Sequence, residues 1–186
     1  MILRQARERW GASPPETATN NLQVYVSQLR RALREAEAGS ERRLVTRRPG
    51  YMLRVDADGL DLARFERGVA EGRAALAAGN PEAGAASLRE ALALWRGDPL
   101  EGAEVESLAL ADIERLAEER LAAVADRVEA DLQLGRHVAV GGELEALVAA
   151  NPLHERLAGQ LMLALYRAGR QADALEVYRT TRELLV

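Results

Sequence analysis

The sequence predicts a mainly α chain in two parts: a helix with a short β-hairpin in front, and a body of paired helices behind. Three observations carry this. Apolar residues recur at three- and four-residue spacing over most of the chain. Between residues 42 and 56, "RRLVTRRPGYMLRVD", that period gives way to short β-prone runs around a Pro–Gly turn signal. Finally, "LGR" at 134–136 and "AGR" at 168–170 stand 34 residues apart, the tetratricopeptide (TPR) period of paired antiparallel helices.

With 186 residues, 48% hydrophobic and 29% charged, the chain can form one medium domain or two small ones with real cores. Aromatic residues make up only 4%, so alanine and leucine must fill the interior, which favours closely packed helices. No run approaches the roughly 18 apolar residues of a membrane span, and "MILRQARERW" is too charged for a secretory signal. Cysteine is absent, which excludes disulfides, thiolate zinc sites and cysteine nucleophiles. A cytoplasmic protein that does not engage membranes is expected. The charge is uneven: residues 1–55 carry eleven arginines against five glutamates, while residues 56–186 carry fourteen arginines against twenty-four acids. A basic end on an acidic body is a footprint of nucleic-acid binding, with a solvated basic face as the plainer alternative.

In chain order, "LRQARERW" (3–10) reads as the end of a helix, followed by the breaker "GASPP". Thr19 or Asn20 can cap the next helix, which runs to about Ala38 and stops at Gly39. Leu44, Val45, Tyr51, Leu53 and Val55 suggest two strands, with Pro49 and Gly50 at the centre of a type II turn. From Asp61 the pattern predicts helices near 61–78, 81–96, 105–134, 137–150, 153–168 and 171–185: an α-solenoid of three pairs. The helix at 105–134 carries one apolar stripe, Ile113, Ala117, Leu121, Val124, Val128 and Leu132. Leu144 and Tyr178 stand at equivalent places after the two "GR" breaks, and Tyr166 and Tyr178 are expected to pack between repeat helices. Gly141 and Gly142 are a misfit, each costing roughly 1 kcal/mol against alanine inside a helix; that helix starts late or is loose.

The early helix, "TNNLQVYVSQLRRALRE", has two distinct sides. At 100° per residue, Leu22, Val26, Leu29 and Leu33 fall within about 40° of one line, with Tyr25 at its edge. Asn20, Gln23, Val24, Ser27, Gln28, Arg31 and Arg34 take the other side. Amides and arginines make paired hydrogen bonds to adenine and guanine edges in the major groove, whereas a merely solvated helix gains more from glutamate–lysine pairs. Arg47 and Arg48 on the hairpin suit phosphate or minor-groove contact. Helix, turn, helix and basic hairpin in this order describe the second half of a winged helix-turn-helix.

The stretches "RERWGASPP…ATNNLQVYVSQLRRAL", "RRPGYMLRVD", "LREALALWRGDPL" and "NPLHERLAGQLMLALYRAGRQADALEVYRTTREL" resemble the SARP/AfsR-type bacterial transcriptional activators over nearly the whole chain. The resemblance implies an OmpR-like winged-helix domain, partial here (1–57), joined to a TPR-like bacterial transcriptional activator domain, or BTAD (60–186). It implies a recognition helix at about 20–36 and a wing at 42–56. Asn20, Gln23, Ser27 and Gln28 become candidates for base edges, Val24 for a thymine methyl, and Arg31, Arg34, Arg47 and Arg48 for phosphates. The implied partners are double-stranded promoter DNA in direct repeats, a sister copy beside it as a homodimer on DNA, and RNA polymerase.

Family members normally carry a small sheet and a first helix before "RWG", where only about nine residues precede Trp10 here. The expectation is a truncated gene product or a late-assigned initiation codon, with part of the recognition helix's floor missing. Exposing Leu22, Val26, Leu29 and Leu33 would forfeit roughly 1.5–3 kcal/mol each, large against a typical total of about 5–15. This keeps a second function open: a helical-repeat body acting only as a protein–protein interaction module. An enzyme is not expected. His137 and His154 lack metal-ligand partners at suitable spacing, Ser27, Ser87 and Ser107 lack a base, and no Walker-type glycine loop is present. No cofactor or metal is implied.

Overall fold

The computed structural model describes residues 18–48, 50–99 and 110–185. The expected helix at 3–10, the breaker "GASPP" and the first residues of the helix expected from 105 lie outside them. Contacts divide the chain into two compact units that meet at Leu60 and Asp61.

The first unit holds helix α1 (Ala18–Ala36), a 3₁₀ turn (Ser40–Arg43), and strands β1 (Leu44–Arg47) and β2 (Gly50–Leu53). Helix α1 already includes Ala18, so Thr19 and Asn20 lie within it rather than at its cap. Gly39 turns the chain out of the helix with φ 92°, a left-handed conformation that glycine adopts without a Cβ penalty. The strands pair antiparallel in the register Leu44↔Leu53, Val45↔Met52, Thr46↔Tyr51 and Arg47↔Gly50. Gly50 is therefore a buried strand residue opposite Arg47, not the second central residue of a type II turn. Pro49 lies outside the described residues.

The second unit is helical: α2 (Asp61–Ala77), α3 (Pro81–Leu92), α4 (Leu110–Gln133), α5 (His137–Ala150), α6 (Glu155–Arg167) and α7 (Gln171–Leu185). Three of the helices end alike. Gly79, Gly135 and Gly169 have φ of 73°, 74° and 81°. In each case the glycine N–H and the one after it reach back to the helix's last carbonyls, as in Arg136 N to Asp131 O (2.9 Å) and Gly135 N to Leu132 O (3.1 Å). This is the Schellman closure, and it explains why the "GR" pairs mark the repeat. At the other ends, Asn80 accepts from Ala83 N (3.1 Å) with Pro81 behind it, and His154 Nδ1 accepts from Leu157 N (3.3 Å), capping α3 and α6.

Helix α3 stops at Leu92, four residues before the expected end. Leu94 and Trp95 turn back onto the first core, where Trp95 meets Phe65 edge-to-face with ring centroids 5.3 Å apart. That core joins Phe65, Val69, Leu88, Ala91 and Ala123; a second joins Val128, Leu132, Val140, Leu144, Leu157, Leu161 and Leu165. Helix α4 serves both, so its C-terminal half is buried nearly all round rather than along one stripe, while Ala117 is exposed.

Charge fills the buried polar positions of α4. Asp131, 2% exposed, accepts from Arg127 (2.9 Å), Arg136 (3.0 Å) and Arg89 of α3. Arg136 continues to Glu82 (2.9 Å) and Arg127 to Glu143 of α5 (2.6 Å). Asp126 accepts from Arg73 of α2 and Arg156 of α6, both at 2.6 Å. The spine helix is thus tied to its neighbours through carboxylates, each with two or more guanidinium partners. Burial on its own raises the Asp131 carboxyl. The Arg136 hydrogen bond and the charges of Arg89 and Arg127 more than offset it and hold the group below the usual carboxylate value.

One expectation fails here, and one of two alternatives for α5 falls. Leu144 is fully buried, but Tyr166 on α6 is 63% exposed, and Tyr178 is 51% exposed because α7 turns only its Ala174 and Val177 side to the core. Helix α5 does not start late: Gly141 and Gly142 sit inside it, with open space where a Cβ would stand.

Candidate nucleic-acid interface

The site is built by α1 and the hairpin of the first unit. Asn20, Gln23, Val24, Ser27, Gln28, Arg31 and Arg34 are all exposed along α1, and Arg47 and Arg48 are exposed on the hairpin. Val24 keeps 52% of its surface in solvent, the apolar member of an otherwise polar strip.

The arginines differ in how they are held. Arg31 donates to Glu35 one turn on (2.8 Å) with its side chain 81% exposed. Arg34 lies 3.9 Å from Glu41, and Arg43 lies 3.8 Å from both Glu37 and Asp56. Exposed pairs of this kind are worth about 0–1 kcal/mol, so a phosphate competes with them readily. Arg47 reaches Met52 Sδ at 3.9 Å, and Arg48 has no ion-pair partner among the described residues.

The apolar side of α1 is rotated from its expected line. Val26 is buried and Leu22 and Leu33 are half-buried, but Leu29 and Tyr25 are each 48% exposed. The covered sector runs from Leu22 through Val26 to Arg30, centred about 40° round the helix from the leucine line. The reason is Arg30. Its Nη2 donates to Leu44 O (3.0 Å) and Thr46 Oγ1 (2.9 Å), its Nε to Leu44 O (3.3 Å), and its guanidinium lies 5.9 Å from the Tyr51 ring. The hairpin therefore covers the Arg30 flank and leaves Leu29 outside. Sequence reasoning passed over Arg30 because it adjoins Arg31. The available signal was angular: Arg30 borders the apolar sector, about 100° from Arg31. Leu53 and Val55, expected to be apolar strand positions, are 53% and 37% exposed.

In the second unit, a groove of about 590 Å³ opens between Phe65, Trp95, Asp98 and Leu116. Among the described residues no cluster of His, Asp or Glu converges as a metal site, and no helix is long and apolar enough to cross a membrane.

The model of the bacterial transcriptional activator domain matches residues 60–186. Over 184 residues the chain is 40% identical to the regulatory protein DnrI of Streptomyces peucetius, covering 96% of this chain and 68% of DnrI. It is 43% identical over 177 residues to the regulatory protein AfsR of Streptomyces coelicolor, covering 95% of the chain but 17% of AfsR. The structure of Mycobacterium tuberculosis EmbR, solved in complex with a low-affinity phosphopeptide, superposes with a TM-score of 0.91 at 34% identity. That match covers 99% of this chain and 48% of EmbR's. Fold and matches together define the class, a bacterial transcription regulator with a winged-helix-type front and a TPR-like body. Within that class the chain belongs to the SARP/AfsR-type family.

Proposed function

We infer that the protein is a DNA-binding transcriptional activator whose α1 enters the major groove while its hairpin follows the adjacent backbone. One observation carries the reading: the amide-and-arginine side of α1 stands free in solvent beside a hairpin that presents Arg47 and Arg48. In this reading Gln23, Ser27 and Gln28 meet base edges with Asn20, and Val24 meets a thymine methyl. Arg31, Arg34, Arg47 and Arg48 neutralise phosphates. Promoter DNA is then the first partner, occupied as direct repeats by two copies side by side. The helical body supplies the surface for the sister copy or for RNA polymerase.

An electrophoretic shift on family-type direct repeats tests this. The wild-type chain should retard the repeat duplex more than a scrambled duplex of equal length. Gln23→Ala should narrow that preference roughly tenfold, the 1–3 kcal/mol of one bidentate base contact. A wild-type chain that leaves every duplex unshifted, while the helical body is folded, would favour the interaction-module reading instead.

A further inference from the structure

We propose that Arg30 is a positioning residue, a lock that fixes the hairpin at one angle to α1 so that helix and wing engage one duplex together. The inference rests on the DNA-binding reading above, and Arg30 itself is given no base or phosphate in it. Its geometry is unlike that of Arg31, Arg34 and Arg43. Arg31, Arg34 and Arg43 face carboxylates, whereas Arg30 spends three hydrogen bonds on neutral groups of β1, two to Leu44 O and one to Thr46 Oγ1.

The strand pleat makes the contact two-stranded. Leu44 and Thr46 project to one face of the hairpin, and Tyr51, opposite Thr46, shares it. Arg30 therefore holds β1 by hydrogen bonds and β2 through the Tyr51 ring, 5.9 Å from the guanidinium. Arg47 sits on the other face, beside Met52 and Gly50. The lock thus grips the side of the hairpin turned to α1 and leaves the Arg47 side available. A planar fork holds the carbonyl and the hydroxyl in one fixed geometry beside the ring; an ammonium on its flexible stem has no equivalent plane.

A two-stranded hairpin is marginal by itself in water. Releasing it would make the wing's phosphate contacts bear the entropy of ordering it on DNA. The lock predicts energetic coupling between Arg30 and wing residues that it does not touch.

The first test needs no DNA. Hydrogen exchange on the full chain should quicken about tenfold or more at the hairpin amides in Arg30→Ala and in Arg30→Lys. Thr46→Val, which removes one hydrogen bond and keeps the shape, should give a smaller change in the same amides. The α2–α7 amides should be unmoved throughout. Unchanged hairpin exchange in Arg30→Ala would overturn the lock.

The second test is a binding cycle on the shifted duplex. In the wild-type background, Arg47→Ala with Arg48→Ala should weaken binding roughly tenfold at 0.1 M salt. In the Arg30→Ala background the same pair should cost less than half as much on a logarithmic scale, because the wing is already uncoupled. Additive losses would make Arg30 one more phosphate contact and overturn the proposal. A wild-type chain that binds no duplex would overturn the DNA-binding reading and the purpose of the lock; the exchange result separates that failure from the absence of the lock.

Discussion

Glycine has opposite meanings at two positions of the helical body. A Cβ on Gly72 would stand 2.6 Å from Leu88 Cγ and 3.3 Å from Gly84 O, and Leu88 is fully buried and cannot give way. Helices α2 and α3 approach so closely because that side chain is missing. Gly72→Ala should therefore destabilise the second unit by about 1–3 kcal/mol in urea unfolding, through overpacking. Gly142 has open space instead, so Gly142→Ala should stabilise it by about 0.5–1 kcal/mol, the helix-propensity gain alone. Equal effects of the two changes would show that close approach is not what Gly72 provides. Asp131 gives a pH-dependent case. Its carboxyl is held below the ordinary value, so its contribution is present above the unfolded-state pKa, about 3.9, and is lost as pH falls through the lower folded-state value. Asp131→Asn should cost about 3 kcal/mol at neutral pH, by removing the carboxylate that Arg89, Arg127 and Arg136 share and leaving buried Arg127 with Glu143 alone. The gap from wild type should close as the solution is acidified below about pH 4. A gap independent of pH would assign the loss to packing.

Elements were legible in the sequence where the chain itself supplies the signal. The Schellman glycines at 79, 135 and 169 and the Asn80–Pro81 start are local chemistry, and the helices they bound fall within a residue or so of their expected limits there. What was not legible depends on distant partners. The stop of α3 at Leu92 comes from Trp95 folding onto Phe65, a contact thirty residues away in sequence. The rotation of α1 toward Arg30 comes from the hairpin that follows it. Periodicity placed Leu29 inward because it measures spacing and not which neighbour arrives. A substitution pair checks the rotation: Val26→Ala should destabilise the first unit by about 1–2 kcal/mol, and Leu29→Ala by well under 1, in hydrogen exchange of its amides. The reverse order would restore the leucine line as the buried face.

At the scale of the molecule, a basic front and an acidic body divide the work. The front displays amides and arginines in solvent, and the body turns Arg73, Arg89, Arg127 and Arg156 onto Asp126, Asp131 and Glu143. Composition showed the segregation of charge, but the two uses of arginine became visible only once partners were placed. The separation of roles rests on the outward strip of α1, and its most direct measurement is the salt dependence of DNA affinity. Fluorescence anisotropy on one repeat duplex between 50 and 200 mM salt should give a steep slope for the wild-type chain. Arg31→Ala should lower that slope by about 1, and Arg34→Ala likewise, with the helical body's circular dichroism unchanged. Wild-type and Arg31→Ala slopes that coincide would contradict the account, since the arginine side of α1 would then face no phosphate.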